Sequence, residues 1–358
     1  MKRNIQLAVG AVLMAALLWF LFRGTDWARV GSDLAGADLP WIAASVLLIF
    51  ASFVLRAFRW RYIVRSAKAV PFRLIYDATQ IGFLANFTLP ARAGEAIRAL
   101  VLARGAKLPF TKCVAFVALD RVTDLFGLVL VLSITLVAYR PDTAVVFPPG
   151  FELPAWASPI LEPNAIRDGA TLAFVAMSVV ALGLLVVYLR QAWALAISDV
   201  VLGLVSKKFA RTVNGWIQHF ADGLHVFRSP ADMAGALGFS ALVWFAAVGS
   251  IAAALRAFGV DAPWYAAPLM LSMLSVIIAL PGTPGFVGTF HLGIMLGLFF
   301  AVPGISAETA KAIAIFSHLA NLFPLVITGV HSLHRQQTGL LQLEEQAEHL
   351  EEDAEKQL

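Results

Sequence analysis

Asn86-Phe87-Thr88-Leu89-Pro90-Ala91-Arg92-Ala93-Gly94-Glu95-Ala96-Ile97-Arg98 interrupts an apolar stretch that runs from Phe72 to Arg104. Proline removes a backbone donor and glycine permits non-helical angles, so a helix arriving at Pro90 stops and another starts beyond it. A second apolar stretch, Trp264 to Val302, is broken in the same way by Pro281-Gly282-Thr283-Pro284-Gly285-Phe286-Val287-Gly288. Each stretch reads as a pair of half-helices rather than one crossing.

Outward from these breaks lie six unbroken apolar segments: Ile5–Phe22, Pro40–Phe58, Cys113–Ala138, Ala170–Leu189, Met233–Leu255 and Glu308–Val330. Each is near the ~20 residues that a helix needs to cross a ~30 Å hydrocarbon core. Hydrophobic residues make up 59% of the chain and charged residues 14%, a balance that separates it from soluble domains. The expected fold class is all-α: a polytopic membrane protein with about six spanning helices and two broken re-entrant hairpins. The first segment follows Lys2 and Arg3 as a signal peptide would, but it ends in Arg23 without a small-residue cleavage site and reads as an uncleaved span.

Lysine and arginine set the orientation. Arg56, Arg59, Arg61, Arg65, Lys68 and Arg73 crowd the far end of the second span, and Arg104, Lys107 and Lys112 follow the first broken stretch. Both places then face the cytoplasm, so the first hairpin leaves and returns on that side. By parity both termini are cytoplasmic and the second hairpin enters from the opposite side. The segment 190–230 is too polar to span and is expected to include an amphipathic surface helix. Residues 1–335 form the membrane domain, and 336–358 an acidic cytoplasmic tail, helical or disordered.

Ionisable groups inside apolar segments cost a few kcal/mol each, so they face protein or a water-filled cavity. Arg92, Glu95 and Arg98 follow the Pro90 break three apart, at the start of a half-helix whose N-terminal end is electropositive. Arginines there suit a phosphate; an internal ion-pair network is the alternative. Asp120, Arg121 and Asp124 lie within one span and read as counter-charge for the first cluster or as carriers of a coupling proton. His291, just past the second break, suits a headgroup, a proton or plain packing; His318 and Asn321 are weaker candidates of the same kind. Arg56, Arg59, Trp60, Arg61 and Arg65 read as a positive belt with an interfacial tryptophan, or as a landing patch for anionic lipids. Cys113, the single cysteine, reads as a small packing residue. No phosphate-cradling loop, HExxH or nucleophile elbow occurs, so no catalytic residue, metal, cofactor or nucleic acid is expected and the protein reads as a non-enzyme.

Four stretches resemble the lysylphosphatidylglycerol synthase transmembrane-domain, or flippase-like, family: Arg56-Ala57-Phe58-Arg59-Trp60, the motif Asn86 to Arg98, Asp120-Arg121-Val122-Thr123-Asp124, and Pro284 to His291. The resemblance covers nearly the whole chain up to the acidic tail, and it adds Asn86 and Arg59 to the candidate substrate-binding residues. It departs from the family in Asp120, where Glu is common, and in His291, where many members carry Glu. The aminoacyl-transferase domain of the full synthase is missing, so aminoacylation is not carried over. What the resemblance implies is movement of a lipid between leaflets of a bacterial cytoplasmic (inner) membrane.

The leading expectation is therefore translocation of an anionic lipid or lipid-linked headgroup by way of Arg92, Arg98, Arg121 and His291, with membrane lipids as partners and the oligomeric state open. The runner-up is a secondary transporter of a small anion. A lipid-modifying enzyme using Asp120 and Asp124 is a third.

Overall fold

The computed structural model describes residues 2–356 apart from 66, 90–92, 141–143, 152–159, 162, 204–205, 207–213, 215–228 and 280–282. Most of the expected surface helix in 190–230 falls outside the described residues, as does Arg92.

Helix α1 (Lys2–Phe22) meets α2 (Trp27–Ala35) at a bend of 87°. The sequence reading missed α2. It starts where the Asp26 carboxylate accepts from the N–H groups of Ala28 and Arg29, the bonding expected of an N-cap. Then come α3 (Leu39–Val64), α4 (Phe72–Thr88), α5 (Gly94–Ala106) and α6 (Phe110–Ala138). A two-residue antiparallel pair, β1 (Val145–Val146) with β2 (Ile160–Leu161), precedes α7 (Pro163–Leu189) and α8 (Gln191–Gly203). The chain continues through α9 (Pro230–Ala257), α10 (Ala266–Ala279), a 3-10 turn (Pro284–Phe286), α11 (Thr289–Ala301), α12 (Ala307–Arg335) and α13 (Leu340–Lys356).

Among the described residues, α3, α6, α9 and α12 are each long and apolar enough to cross a membrane, and α1 joins them if it is counted with α2. The 27-residue α7 occupies the fourth expected span, Ala170–Leu189. Segment Pro284–Ala301 also reaches spanning length, but only by joining the 3-10 turn to α11 across Gly285, whose φ of 61° is non-helical.

Both broken stretches fold as hairpins. In the first, Gly82 lies against Arg98 and Gly105 against Leu74, so α4 and α5 run antiparallel. Lys68 Nζ donates to the Ala106 carbonyl at 2.6 Å, which holds the hairpin's two ends together. In the second, Gly293 lies against Leu274 and Gly297 against Met270, again antiparallel. The arms are 17, 13, 14 and 13 residues long, about 20–25 Å each at 1.5 Å per residue, short of the core thickness.

Contacts sort the loops into two ends. At the basic end, Arg65 pairs with Asp232 and Arg335 with Asp77. At the other, the Asp38 N–H donates to the Ala257 carbonyl, Tyr139 meets Tyr265, and Lys311 Nζ reaches the Gly150 carbonyl. The first hairpin opens at the basic end and the second at the opposite one. The hairpins also touch at their tips. Phe87 packs on Phe286 with ring centroids 6.5 Å apart, and a Cβ on Gly285 would sit 3.0 Å from the Phe87 ring. The acidic tail forms α13, whose Leu343 and Ala347 are buried in the core cluster that contains α5.

The first hairpin closes through Gly94. A methyl there would overlap the Gly82 carbonyl oxygen and lie 2.6 Å from the Asn86 nitrogen. Gly94→Ala should destabilise the protein by about 1–3 kcal/mol, the usual cost of overpacking. Gly238, with nothing within 4 Å of its would-be Cβ, is the control. Thermal unfolding in detergent should show a clear drop for the first and little for the second; equal drops would mean that the hairpin is not closely packed there.

Candidate functional site

The charged residues that the sequence scatters over three segments meet in one cluster. Asp120 is fully buried on α6 and shared by two guanidinium groups. Arg59 Nε from α3 lies 2.8 Å from Oδ1, and Arg98 Nη1 from α5 lies 2.6 Å from Oδ2. Asp124, one turn further along α6, takes Arg59 Nη1 at 2.5 Å, Arg121 Nη1 at 3.1 Å and Arg56 Nη1 at 3.5 Å. Arg121 Nε also lies 3.2 Å from Glu95 Oε1. Asp120 and Asp124 stand 10 and 14 residues into the 29-residue α6, about 15 and 21 Å along a helix long and apolar enough to cross a membrane.

Local packing explains the arrangement. Arg98 lies over the Trp60 ring, its Cζ 3.7 Å from the centroid, and its Nη2 approaches Thr79 Oγ1 at 3.3 Å. A guanidinium without water gains about 2 kcal/mol from such an aromatic face. Ser240 on α9 lies 3.4 Å from Arg59 Nη1 and donates its hydroxyl to the Thr123 carbonyl.

Burial divides the cluster. Arg59 and Arg98 are closed off, whereas the side chains of Arg121, Glu95 and Arg56 are 37%, 33% and 23% exposed. Four guanidinium groups (Arg56, Arg59, Arg98, Arg121) face three carboxylates (Glu95, Asp120, Asp124), so one positive charge is in surplus among the described residues. Arg59 Nη2, Arg98 Nε and Asn86 Oδ1 are buried and have no hydrogen-bond partner among the described residues.

Asp120 and Asp124 thus stand as counter-charge. Arg98 pairs with Asp120 across helices rather than with Glu95 three residues earlier, and Glu95 turns to Arg121. Arg61 and Arg65 are exposed, but the positive-belt reading fails for Arg59 and Trp60, which are fully buried. These two lie on the side of α3 that packs inward, against α6. Cys113 is buried, as a packing residue should be.

His291 is not part of the cluster. It lies at the tip of the second hairpin, its Nδ1 accepting from the Gly288 N–H at 3.3 Å. His318 from α12 is beside it, with ring centroids 4.9 Å apart. Asn321 Nδ2 donates to the Ser317 carbonyl of its own helix. The sequence reading passed over Asp77, a buried acid that pairs with Arg335 and accepts from Gln336 Nε2 at 3.0 Å. Being an ionisable residue within an apolar run was signal enough to find it.

The family model described as lysylphosphatidylglycerol synthase TM region matches residues 5–329. Among curated proteins, the chain is 26% identical over 353 residues to a Haloferax volcanii protein named Glycosyltransferase AglD, covering 92% of this chain and 54% of that one. The chain therefore spans about half the length of that relative. It is 24% identical over 345 residues to a UPF0104 membrane protein of Methanothermobacter thermautotrophicus, covering 93% of this chain and 95% of that one.

Asp120→Ala leaves two buried guanidinium groups short of a partner, so it should destabilise by about 3–5 kcal/mol. Arg121→Gln, at a more exposed site, should cost under about 1 kcal/mol. Unfolding by heat or denaturant in detergent checks the ranking, and an Asp120→Ala protein as stable as Arg121→Gln would contradict it.

Proposed function

The chain belongs to the lysylphosphatidylglycerol synthase TM-region family, and we propose that it carries the headgroup of an anionic lipid between leaflets while the acyl chains stay in the bilayer. The observation that supports this reading most is the half-open, net-positive cluster at membrane depth. A guanidinium exposed there needs water or an anionic ligand, since hydrocarbon solvates it poorly. Arg121 and Arg56 present the open donors. Glu95 and Asp124 orient them, and the closed Asp120–Arg59–Arg98 group fixes the three helices that carry them.

A phosphate is the fitting ligand, because guanidinium groups bind it through paired charge-assisted hydrogen bonds. By the distribution of lysine and arginine, the basic end and both termini face the cytoplasm across a cytoplasmic membrane. A second reading draws on the glycosyltransferase name of the Haloferax relative: a lipid-linked sugar would be the substrate of transfer rather than cargo.

Leaflet exchange in proteoliposomes separates the readings. Wild-type protein should move fluorescent anionic phospholipids faster than protein-free vesicles do, and faster than zwitterionic ones. Arg121→Gln should slow exchange about tenfold, the loss of one charged hydrogen bond of ~1.5 kcal/mol. No exchange of any anionic lipid would contradict the proposal. Uptake of small anions under the same conditions would favour a small-anion transporter, and sugar transfer to a lipid acceptor would favour the enzyme.

A further inference from the structure

His291 and His318 meet where the two hairpins touch, and the cluster described above does not use them. Each is 6% exposed. His318 Nε2 lies 3.0 Å from the Gly285 carbonyl, which only accepts, so that nitrogen carries the hydrogen. His291 Nδ1 accepts from the Gly288 N–H, so in the neutral ring the hydrogen lies on Nε2. The two rings are therefore fixed in opposite tautomers. Protonating His291 at Nδ1 breaks its bond to Gly288. Protonating His318 at Nδ1 leaves its bond to Gly285 intact and strengthens it.

Aromatic rings line the pair on both sides. Phe290 stacks on His318 with centroids 5.0 Å apart, and Phe87 from the first hairpin is 5.9 Å away. Aromatic faces of this kind stabilise a cation. On the other side, α1 sets Phe22 edge-on to His291 at 5.6 Å. The groups that face the pair from α1, α4, the 3-10 turn and α11 are thus Phe22, Phe87, the Gly285 carbonyl and Phe290, all uncharged. The charged residues closest along the flanking helices are Arg23, next after Phe22, and Lys311, two turns before His318 with its Nζ 3.1 Å from the Gly150 carbonyl. Two imidazolium rings at 4.9 Å would repel each other, which limits the pair to one proton.

We propose that the His291–His318 pair is a proton-binding site at the junction of the hairpins, with His318 Nδ1 as the acceptor. The junction is neutral without the proton and positive with it. Its consequence for transport rests on the lipid reading above: a charged junction attracts an anionic headgroup leaving the Arg121 cluster, and a neutral one releases it. The proton comes from water and returns to water, so lipid movement becomes linked to pH.

The test uses the whole protein in lipid nanodiscs with its seven histidines labelled with nitrogen-15. Imidazole signals followed by solid-state NMR over roughly pH 4–8, where histidine changes charge, should show one titrating histidine that disappears in His318→Gln. Glutamine keeps an N–H donor for the Gly285 carbonyl, so this variant retains the fold. In His291→Gln the His318 titration should persist. A His318 that stays neutral throughout, or a titration unchanged in His318→Gln, overturns the proposal. In proteoliposomes, wild-type lipid exchange should rise severalfold as pH falls through the same step and stay flat in His318→Gln. A titration without any lipid exchange would retain the proton site and remove the lipid reading. Exchange without a titration would do the reverse.

Discussion

One carboxylate ties three helices of this protein together. Asp120 accepts from Arg59 of α3 and Arg98 of α5, and all three side chains are fully or almost fully buried. Removing three charges from water is costly, and only close pairing offsets it. The arrangement is consequently intolerant of displacement. Where α6 puts Asp120, α3 and α5 must put their arginines, and the first hairpin is fixed in depth by that requirement. Asp77 repeats the device nearer the basic end, tying α4 to α12 through Arg335 and Gln336.

That rigidity gives the exposed part of the cluster its meaning. Arg121, Glu95 and Arg56 are held at the rim of a closed ionic core, so their geometry is set by the core rather than by solvent. Donors held in place in this way bind an anion without first paying to order themselves. The second hairpin meets the first through Phe87, Phe286 and Gly285, and α12 fastens that meeting through His318. Irregular backbone at such depth persists only where protein or a water-filled cavity covers it, and among the described residues Phe87 of the first hairpin covers Gly285 and Phe286 of the second.

Much of this was legible in the sequence, for identifiable reasons. Apolar runs of spanning length disclosed the crossings, and the Pro/Gly breaks disclosed the hairpins. The acids at 120 and 124 disclosed the counter-charge. Arg59 was misread because a cation at the end of a span looks the same whether it turns outward or inward. A signal did exist: Ser45, Ser52 and Arg59 are seven apart, share one side of α3 and are all buried. The pairing of Arg98 with Asp120 instead of Glu95 could not be read from spacing, because it depends on how α5 sits against α6. The Asp77–Arg335 pair spans most of the chain, and only the oddity of a lone acid in an apolar run hinted at it. The short α2 escaped because its polar side chains conceal a helix that buries only Val30.

The central claim is that the open side of the Asp120–Asp124 cluster receives an anionic headgroup. A cryo-electron microscopy map of the protein in nanodiscs of anionic lipid tests it most directly. The account predicts headgroup density within hydrogen-bond distance of the Arg121 and Arg56 guanidinium groups, absent in nanodiscs of zwitterionic lipid. Density for ordered lipid only around the outer rim of the helices, with the cluster occupied by water in both lipids, would contradict it.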